Sequence, residues 1–240
     1  MKTSIVFIGT DKYLNFLPAY YQSIKDNLSE NNELIFHIFT DRINAAAWPS
    51  DMKIYQINHM KWPFVTLMRY KIMNCALDYI TDADFCVFAD ADLLWKEKTN
   101  VLDLFNAKPY FGVQHPGFVF QPENATFETN KSSLAYVGEN EDKSTYWQGC
   151  LWGANSDSFK KIISHLNENV DLDLNNNIVA RWHDESHLNR FFINHKNNVN
   201  TLHPGYATPE HWENIKKHFP TKAVHLHKPL EQFERFEGIK

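Results

Sequence analysis

Apolar positions in the first half of the chain follow two alternating periods. Ile5-Val6-Phe7-Ile8 is a short β-branched and aromatic run that ends at the turn residue Gly9, and it predicts a buried strand. Leu17, Tyr20, Tyr21, Ile24 and Leu28 then recur at helical intervals and predict an amphipathic helix. Residues 34–39 read as a second strand and 53–57 as a weaker third. Helical spacing returns over residues 67–80, with Ile72, Cys75, Ala76 and Tyr79 on one face. Phe85-Cys86-Val87-Phe88 is a further buried strand that runs straight into Asp90-Ala91-Asp92. Alternating strands and helices predict an α/β fold with a parallel sheet and crossover helices. Ligands of such sheets bind beyond the carboxyl ends of the strands. Asp41 and the Asp90/Asp92 pair both fall there.

The second half is less regular. Residues 121–145 are polar and read as a long excursion, 156–168 and 185–194 as helices, and the last 40 residues as a tail wrapped on the surface. There is no internal repeat and no Gly/Ser/Pro linker, so one continuous domain over 1–240 is expected.

Composition narrows the class. The chain has 240 residues, 43% of them hydrophobic, enough for a full core. Its net charge is -5 with no dense Lys/Arg run, which excludes an ordinary nucleic-acid binder. An anionic ligand stays open, because a metal can supply positive charge locally. Cys75, Cys86 and Cys150 are scattered and odd in number, as expected of reduced thiols in a cytoplasmic protein. No apolar run reaches the ~18 residues of a membrane span. Peripheral contact with a membrane surface stays open.

Two segments carry candidate chemistry. Aspartates spaced i, i+2 past a buried strand can aim both carboxylates at one point, and Ala91 between them leaves room for a ligand. A hard cation such as Mn²⁺ or Mg²⁺ takes few carboxylates and completes its shell with phosphate oxygens and water. The plainer alternative is a turn whose aspartates cap the next helix. Trp182-His183-Asp184-Glu185-Ser186-His187-Leu188-Asn189-Arg190 is dense in titratable groups. His183 and His187 are i, i+4, but the zinc-protease pattern needs Glu directly after the first His, and Asp184 stands there. Asp184 and Glu185 either begin a helix, favoured beside its dipole, or point into a site. In a site, one would hold sugar hydroxyls and the other would serve an oxocarbenium-like carbon.

With these motifs the chain resembles glycosyltransferase family six, which includes the blood-group A and B transferases and the α-1,3-galactosyltransferase. The 182–189 segment is close to the family's most specific signature. His115-Pro116-Gly117-Phe118, Phe39-Thr40-Asp41 and Asp90-Ala91-Asp92 match three others in the right order. Residues 62–73 resemble the helix of a donor-binding arginine, Arg69. Ala135-Tyr136 and Tyr146-Trp147-Gln148-Gly149-Cys150 fall where the family has its donor-specificity segment. The likeness spans residues 5–228.

The resemblance implies a GT-A type fold with a mixed, mainly parallel sheet, its nucleotide-binding half at about 1–95 and its acceptor-binding half and tail at about 96–240. It implies a retaining transferase that moves galactose or N-acetylgalactosamine from a UDP-sugar to an oligosaccharide or glycolipid in α-1,3 linkage. Asp90 and Asp92 would hold Mn²⁺ or Mg²⁺ on the diphosphate. Phe7, Ile8 and Tyr13 lie in the segment that would cradle uracil, with core packing the alternative for Phe7 and Ile8. Arg69 would bridge the donor sugar and Asp90, unless it is a surface helix arginine. Asp184 would hydrogen-bond the transferred sugar, and Glu185 would lie below the anomeric carbon, as nucleophile or as stabiliser. His115 and Trp182 would contact the acceptor. Lys222, His225, His227 and Lys228 would form a basic closing tail, unless that tail is simply solvated.

This chain departs from the family in places. Many bacterial relatives carry Asn-x-Asn and work without metal, whereas both aspartates are kept here, so metal dependence is expected. The anchor and stem of the animal members have no counterpart, which fits a bacterial or phage protein acting in the cytoplasm. Gln148 and Cys150 occupy specificity positions with unusual side chains. Cys150 favours galactose by its bulk, and Gln148 could hydrogen-bond an N-acetyl group. A glycan-binding module or a metal-dependent nucleotide-sugar hydrolase are the competing readings.

Overall fold

The computed structural model describes residues 1–28, 30–43 and 48–228. From the N-terminus, β1 (Lys2–Ile8), α1 (Leu17–Leu28), β2 (Glu33–Thr40) and β3 (Met52–Gln56) follow in turn. Three short helices, α2 (Phe64–Leu67), α3 (Arg69–Asn74) and α4 (Leu77–Ile80), lead into β4 (Phe85–Ala89). Then come β5 (Leu93–Trp95), α5 (Val101–Phe105) and β6 (Tyr110–Gln114). After a long excursion, β7 (Trp147–Asn155) runs into α6 (Ser156–Asn175) and α7 (His183–Asn194). The chain continues through β8 (Val199–Leu202), β9 (Thr208–Pro209), α8 (Glu213–His218) and β10 (Ala223–His225).

Seven strands form the central sheet in the order β3-β2-β1-β4-β7-β6-β8. Only β7 opposes its neighbours; the other pairs are parallel. This mixed, mainly parallel sheet agrees with the GT-A type fold. Successive residues of β1 serve opposite faces: Ile5 and Phe7 join one core cluster and Val6 the other. Both faces are covered, so these strands read as continuous apolar runs.

The four strands expected in the first half are present, and the sheet's other three were not foreseen. β7 is buried along nearly its whole length and has no period-two alternation, and it carries Gly149 and Gly153. Glycine is depleted in strands, but here close packing demands it. A Cβ on Gly153 would lie 2.6 Å from the carbonyl oxygen of Cys86 on β4, so a larger residue would force the two strands apart.

Two other expectations need correction. The 67–80 helix is three pieces, broken where Met68 and Ala76 leave helical geometry. The break rotates the apolar stripe: Ile72 and Ala76 stay buried, while Cys75 and Tyr79 are exposed. The surface tail is largely structural where it is described. β10 is the middle strand of a second sheet, β5-β10-β9, and Ala223 is fully buried. Three-residue strands are too short to show a period, which hid them. Residues 229–240 of the expected tail lie outside the described residues.

The 115–146 excursion is pinned to the helices. Asp173 of α6 accepts the Ser133 hydroxyl at 2.6 Å and the Leu134 N–H at 2.9 Å. Glu128 accepts the Arg181 N–H at 2.5 Å, fixing the chain just ahead of Trp182.

Candidate active site

The carboxyl ends of β4 and β6 and the start of β7 meet at one edge of the sheet. Because β7 is antiparallel, its first residues lie beside the last residues of its neighbours. Its register against β6 also slips, from Gly112 opposite Trp152 to Val113 opposite Gln148. Irregularities of this kind re-aim side chains next to active sites. Here Gln148, Gly149 and Cys150 turn into a cleft of about 320 Å³, together with Arg69, Asp90, His115, Trp182, Asp184 and Glu185.

Past β4, the Asp90 N–H donates to the Cys150 carbonyl at 2.8 Å, and the Leu93 N–H returns to the Asp90 carbonyl at 3.0 Å. This tight turn swings Asp92 under β10. Asp92 is buried, with His225 Nε2 3.1 Å from one carboxylate oxygen and Lys228 Nζ 2.5 Å from the other. Burial alone would raise the Asp92 carboxyl, but His225 and Lys228 hold it well below the usual range. One ligand atom each from Asp90, Asp92 and His225 lie within 4.8 Å of one another. Two carboxylates and an imidazole fit a divalent cation and leave positions for phosphate oxygens. Lys228 supplies positive charge to Asp92 in this structure.

Arg69 is buried, not a surface helix residue. Its guanidinium lies 3.1 Å from both Asp90 and Asp184 and donates to the Gly149 carbonyl at 2.7 Å. It also stacks 4.4 Å over the Phe88 ring. One planar fork thereby ties the turn after β4, β7 and the start of α7 together. Burial works against its charge, and Asp184 and Asp90 more than offset that.

α7 starts at His183, two residues earlier than the spacing suggested. The Ser186 hydroxyl accepts the Trp182 N–H at 2.9 Å, which supports the helix start. Asp184 is buried against Arg69, and burial pushes its carboxyl up to about 6. Glu185 accepts the Gly149 N–H at 2.7 Å. Burial pushes Glu185 up to about 7, against the lowering effects of that N–H and of the Tyr146 hydroxyl beside it. His183 and His187 form no zinc site: His183 packs against Trp62 in the cleft wall, and His187 faces Asp173.

At the rim, His115 Nδ1 accepts the Gly117 N–H at 3.0 Å, which leaves Nε2 to carry the ring proton. Burial lowers this histidine to about 4, so it is neutral at pH 7. The Trp182 indole N–H donates to Thr126 at 2.7 Å, while the residue stays 44% exposed and offers a ring face. Inside, Gln148 Nε2 is buried with no hydrogen-bond partner among the described residues. Burial pushes the Cys150 thiol far up, so it is a neutral wall.

The remaining expected residues divide. Lys228 Nζ lies 5.0 Å over the Tyr13 ring, so Tyr13, Lys228 and Asp92 form one row. Ile8 is half-buried at the end of β1, whereas the Phe7 side chain is wholly core. Ala135 and Tyr136 do not line the cleft; the Ala135 N–H donates to Ser133, and the Tyr136 carbonyl accepts Arg190. Of the basic tail, Lys222 pairs with Glu97 at 2.6 Å, and the His227 ring packs 5.0 Å from His211, both away from Asp92. Sequence reasoning did not foresee Trp62 or Trp212 in the cleft wall, or His225 on Asp92. No local signal marks them, because each arrives from a distant segment.

These features define a cleft with a candidate cation site at one end and the Asp184 and Glu185 carboxylates in its wall. A family model described as Glycosyltransferase family 6 matches residues 3–228. The chain belongs to that family and is a glycosyltransferase. It is 27% identical over 203 residues to the O-antigen biosynthesis glycosyltransferase WbnI of Escherichia coli, covering 82% of this chain and 84% of the relative. It is 26% identical over 232 residues to the histo-blood group ABO system transferase 2 of Rattus norvegicus, covering 92% and 68%. It is 25% identical over 226 residues to the globoside alpha-1,3-N-acetylgalactosaminyltransferase 1 of Canis lupus familiaris, covering 90% and 62%. No helix among the described residues is long and apolar enough to cross a membrane.

Proposed function

We propose that the protein transfers galactose or N-acetylgalactosamine, with retention, from a UDP-sugar to a glycan in α-1,3 linkage. The observation that carries this reading is the Arg69 fork, which joins Asp90 of the candidate metal site to Asp184 and Gly149 beside Glu185. It would hold a diphosphate at a fixed offset from the reacting sugar. Such positioning is a large part of catalysis.

Asp90, Asp92 and His225 would hold Mn²⁺ or Mg²⁺. When bound, the cation would neutralise the charge that builds on the departing diphosphate. Lys228 would exchange Asp92 for a phosphate oxygen, closing the tail over the nucleotide. Ile8 and Tyr13 would wall the uracil. Asp184 would accept a sugar hydroxyl while Arg69 keeps it ionised. The Glu185 carboxylate would serve the positive anomeric carbon, by bonding to it or by steadying it during same-face attack. His115 and Trp182 would hold the acceptor, Trp182 by stacking on sugar C–H groups.

Donor choice rests on β7. Cys150 narrows the space beside the sugar's second carbon, which favours galactose. The unpartnered Gln148 Nε2 is the feature that would favour an N-acetyl group, by donating to its carbonyl. The whole chain would act as one catalytic domain. The free cysteines suit the cytoplasm, with peripheral membrane contact if the acceptor is lipid-linked.

The test is UDP release from each donor, with and without Mn²⁺, across plain and fucosylated galactosides. Metal-dependent release stimulated by an acceptor supports the transferase. Release that no acceptor stimulates supports a hydrolase, and UDP binding without release supports a glycan-binding module.

A further inference from the structure

Asn189 lies in the middle of α7 and is wholly buried. A buried amide is costly unless its polar atoms are paired, and an asparagine does little for a helix interior. Here every polar atom of the side chain is engaged. Its Oδ1 accepts the Trp147 N–H at 2.9 Å. Its Nδ2 donates to the Trp147 carbonyl at 2.7 Å and to the Glu185 carbonyl at 2.9 Å. These partners fix which way round the amide sits, since one N–H needs an acceptor and two carbonyls need donors.

The spacing on the two elements matches. Asn189 follows Glu185 by four residues, so both side chains leave the same face of α7. Four helical residues rise about 6 Å. Two strand residues rise about 6.6 Å. Asn189 therefore meets Trp147 while the Glu185 carboxylate meets the Gly149 N–H, two positions on, at 2.7 Å. α7 offers β7 two polar side chains where the pairing of β7 with β6 slips. The Trp147 ring has its own anchors. Its indole N–H donates to the Thr201 hydroxyl at 3.1 Å, and the ring packs edge-on to Phe192 at 5.5 Å. The ring holds the strand in place, and Asn189 sets the plane of its backbone.

We infer that Asn189 is a positioning residue for the transfer reaction, clamping the Trp147 backbone so that the Gly149 N–H meets the Glu185 carboxylate. The inference rests on the transferase reading above and adds a residue that does not line the cleft. Asn189 acts only through Glu185 and the 147–149 segment. The same amide braces the Glu185 carbonyl, so one side chain sets both partners of the Gly149 contact.

The experiment compares wild type with Asn189→Ala, Asn189→Asp, Glu185→Gln and the double variant Glu185→Gln/Asn189→Ala. Asn189→Asp keeps the volume and the acceptor for the Trp147 N–H and loses both donations. Turnover is measured as acceptor-stimulated UDP release per UDP-binding site, so that only folded protein counts. Exchange of the Gly149 amide is followed by NMR with ¹³C-carbonyl glutamine and ¹⁵N-glycine, which isolates one signal because Gln148-Gly149 is the chain's single Gln-Gly pair. Each Asn189 variant should lose about tenfold or more in kcat, with UDP affinity in Mn²⁺ within about threefold, and its Gly149 amide should exchange about tenfold faster or more. In the Glu185→Gln background, Asn189→Ala should cost less than about twofold further, as expected of residues that act as one unit. Full kcat, an unchanged Gly149 amide, or a loss that multiplies with that of Glu185→Gln overturns the clamp and leaves the transferase standing. Loss of UDP affinity in step with kcat assigns Asn189 to the fold alone and overturns the positioning role. No UDP release by wild type from any donor and acceptor pair overturns the transferase reading and this role with it, while Gly149 exchange still reports whether the clamp exists.

Discussion

The Glu185 carboxylate accepts the backbone N–H of Gly149 at 2.7 Å, joining the first turn of α7 to the irregular start of β7. A Cβ on Gly149 would meet Asp184 Oδ2 and Glu185 Cβ at 3.4 Å, ordinary van der Waals contact, so a side chain there would take up space at the floor of the cleft without a clash. The hydrogen bond holds the acid beside the candidate sugar site, in surroundings that resist its ionisation.

Glu185→Gln keeps the shape and an acceptor for the Gly149 N–H but removes the charge. Turnover should fall by two orders of magnitude or more while UDP binding stays within a few-fold of wild type. Full activity in this variant, measured as acceptor-stimulated UDP release, would sink the assigned role. The same variant tests stability. Glu185 titrates near 7 in the folded chain, above its ordinary 4.5, so the folded state binds more protons between those values and stability falls as pH rises through them. Glu185→Gln should therefore be more stable than wild type at pH 8, by on the order of 1–3 kcal/mol in unfolding free energy, and not at pH 4.

Activity should follow the same titration. With an ionised Glu185 required, kcat/KM for donor should drop about tenfold per pH unit below pH 7. A profile flat from pH 5 to 8 would rule out Glu185 as the group that limits it.

Replacing Arg69 should be costly. Arg69→Met leaves Asp90 and Asp184 without their shared partner, and breaking a buried ion pair this way costs about 3–5 kcal/mol. Arg69→Lys should recover only part of this, because a single ammonium cannot span both carboxylates and the Gly149 carbonyl. Chemical denaturation at pH 7 measures both, and equal stability of Arg69→Lys and wild type would contradict the fork.

Lys228→Ala should have opposite effects on two ligands. Without nucleotide, removing the ammonium from Asp92 frees an oxygen for metal, so Mn²⁺ should bind more tightly by calorimetry. UDP should bind more weakly in the presence of Mn²⁺, because a phosphate contact is lost. Loss of both affinities together would mean that Lys228 only stabilises the fold there. Asp92→Asn should weaken Mn²⁺ binding in either setting, and an unchanged titration would remove Asp92 from the site.

The parts legible in the sequence are those whose signal is local. β1, β2 and β4 are continuous apolar runs because both their faces are buried, and Asp90-Ala91-Asp92 follows one of them directly. The 182–190 segment places Asp184 and Glu185 together at a helix start, where adjacent carboxylates are favourable. β6, β7 and β8 were not legible. β7 is glycine-bearing and irregular because it is shaped by the strands on either side, and β8 is four residues with two polar ones.

Residue identity by itself determined the class: an α/β glycosyltransferase with candidate roles for Asp90, Asp92, Asp184 and Glu185. Tertiary structure decided which side chains meet. Arg69 reaches Asp184 across 115 positions only because α3 and α7 pack on the same face of the sheet. His225 and Lys228 reach Asp92 across more than 130 because β10 pairs with β5 beside the turn. It also decided that Phe7 is core. Strand and helix periods report neighbours a few residues away, whereas a binding site is assembled from contacts that the closed chain alone brings together.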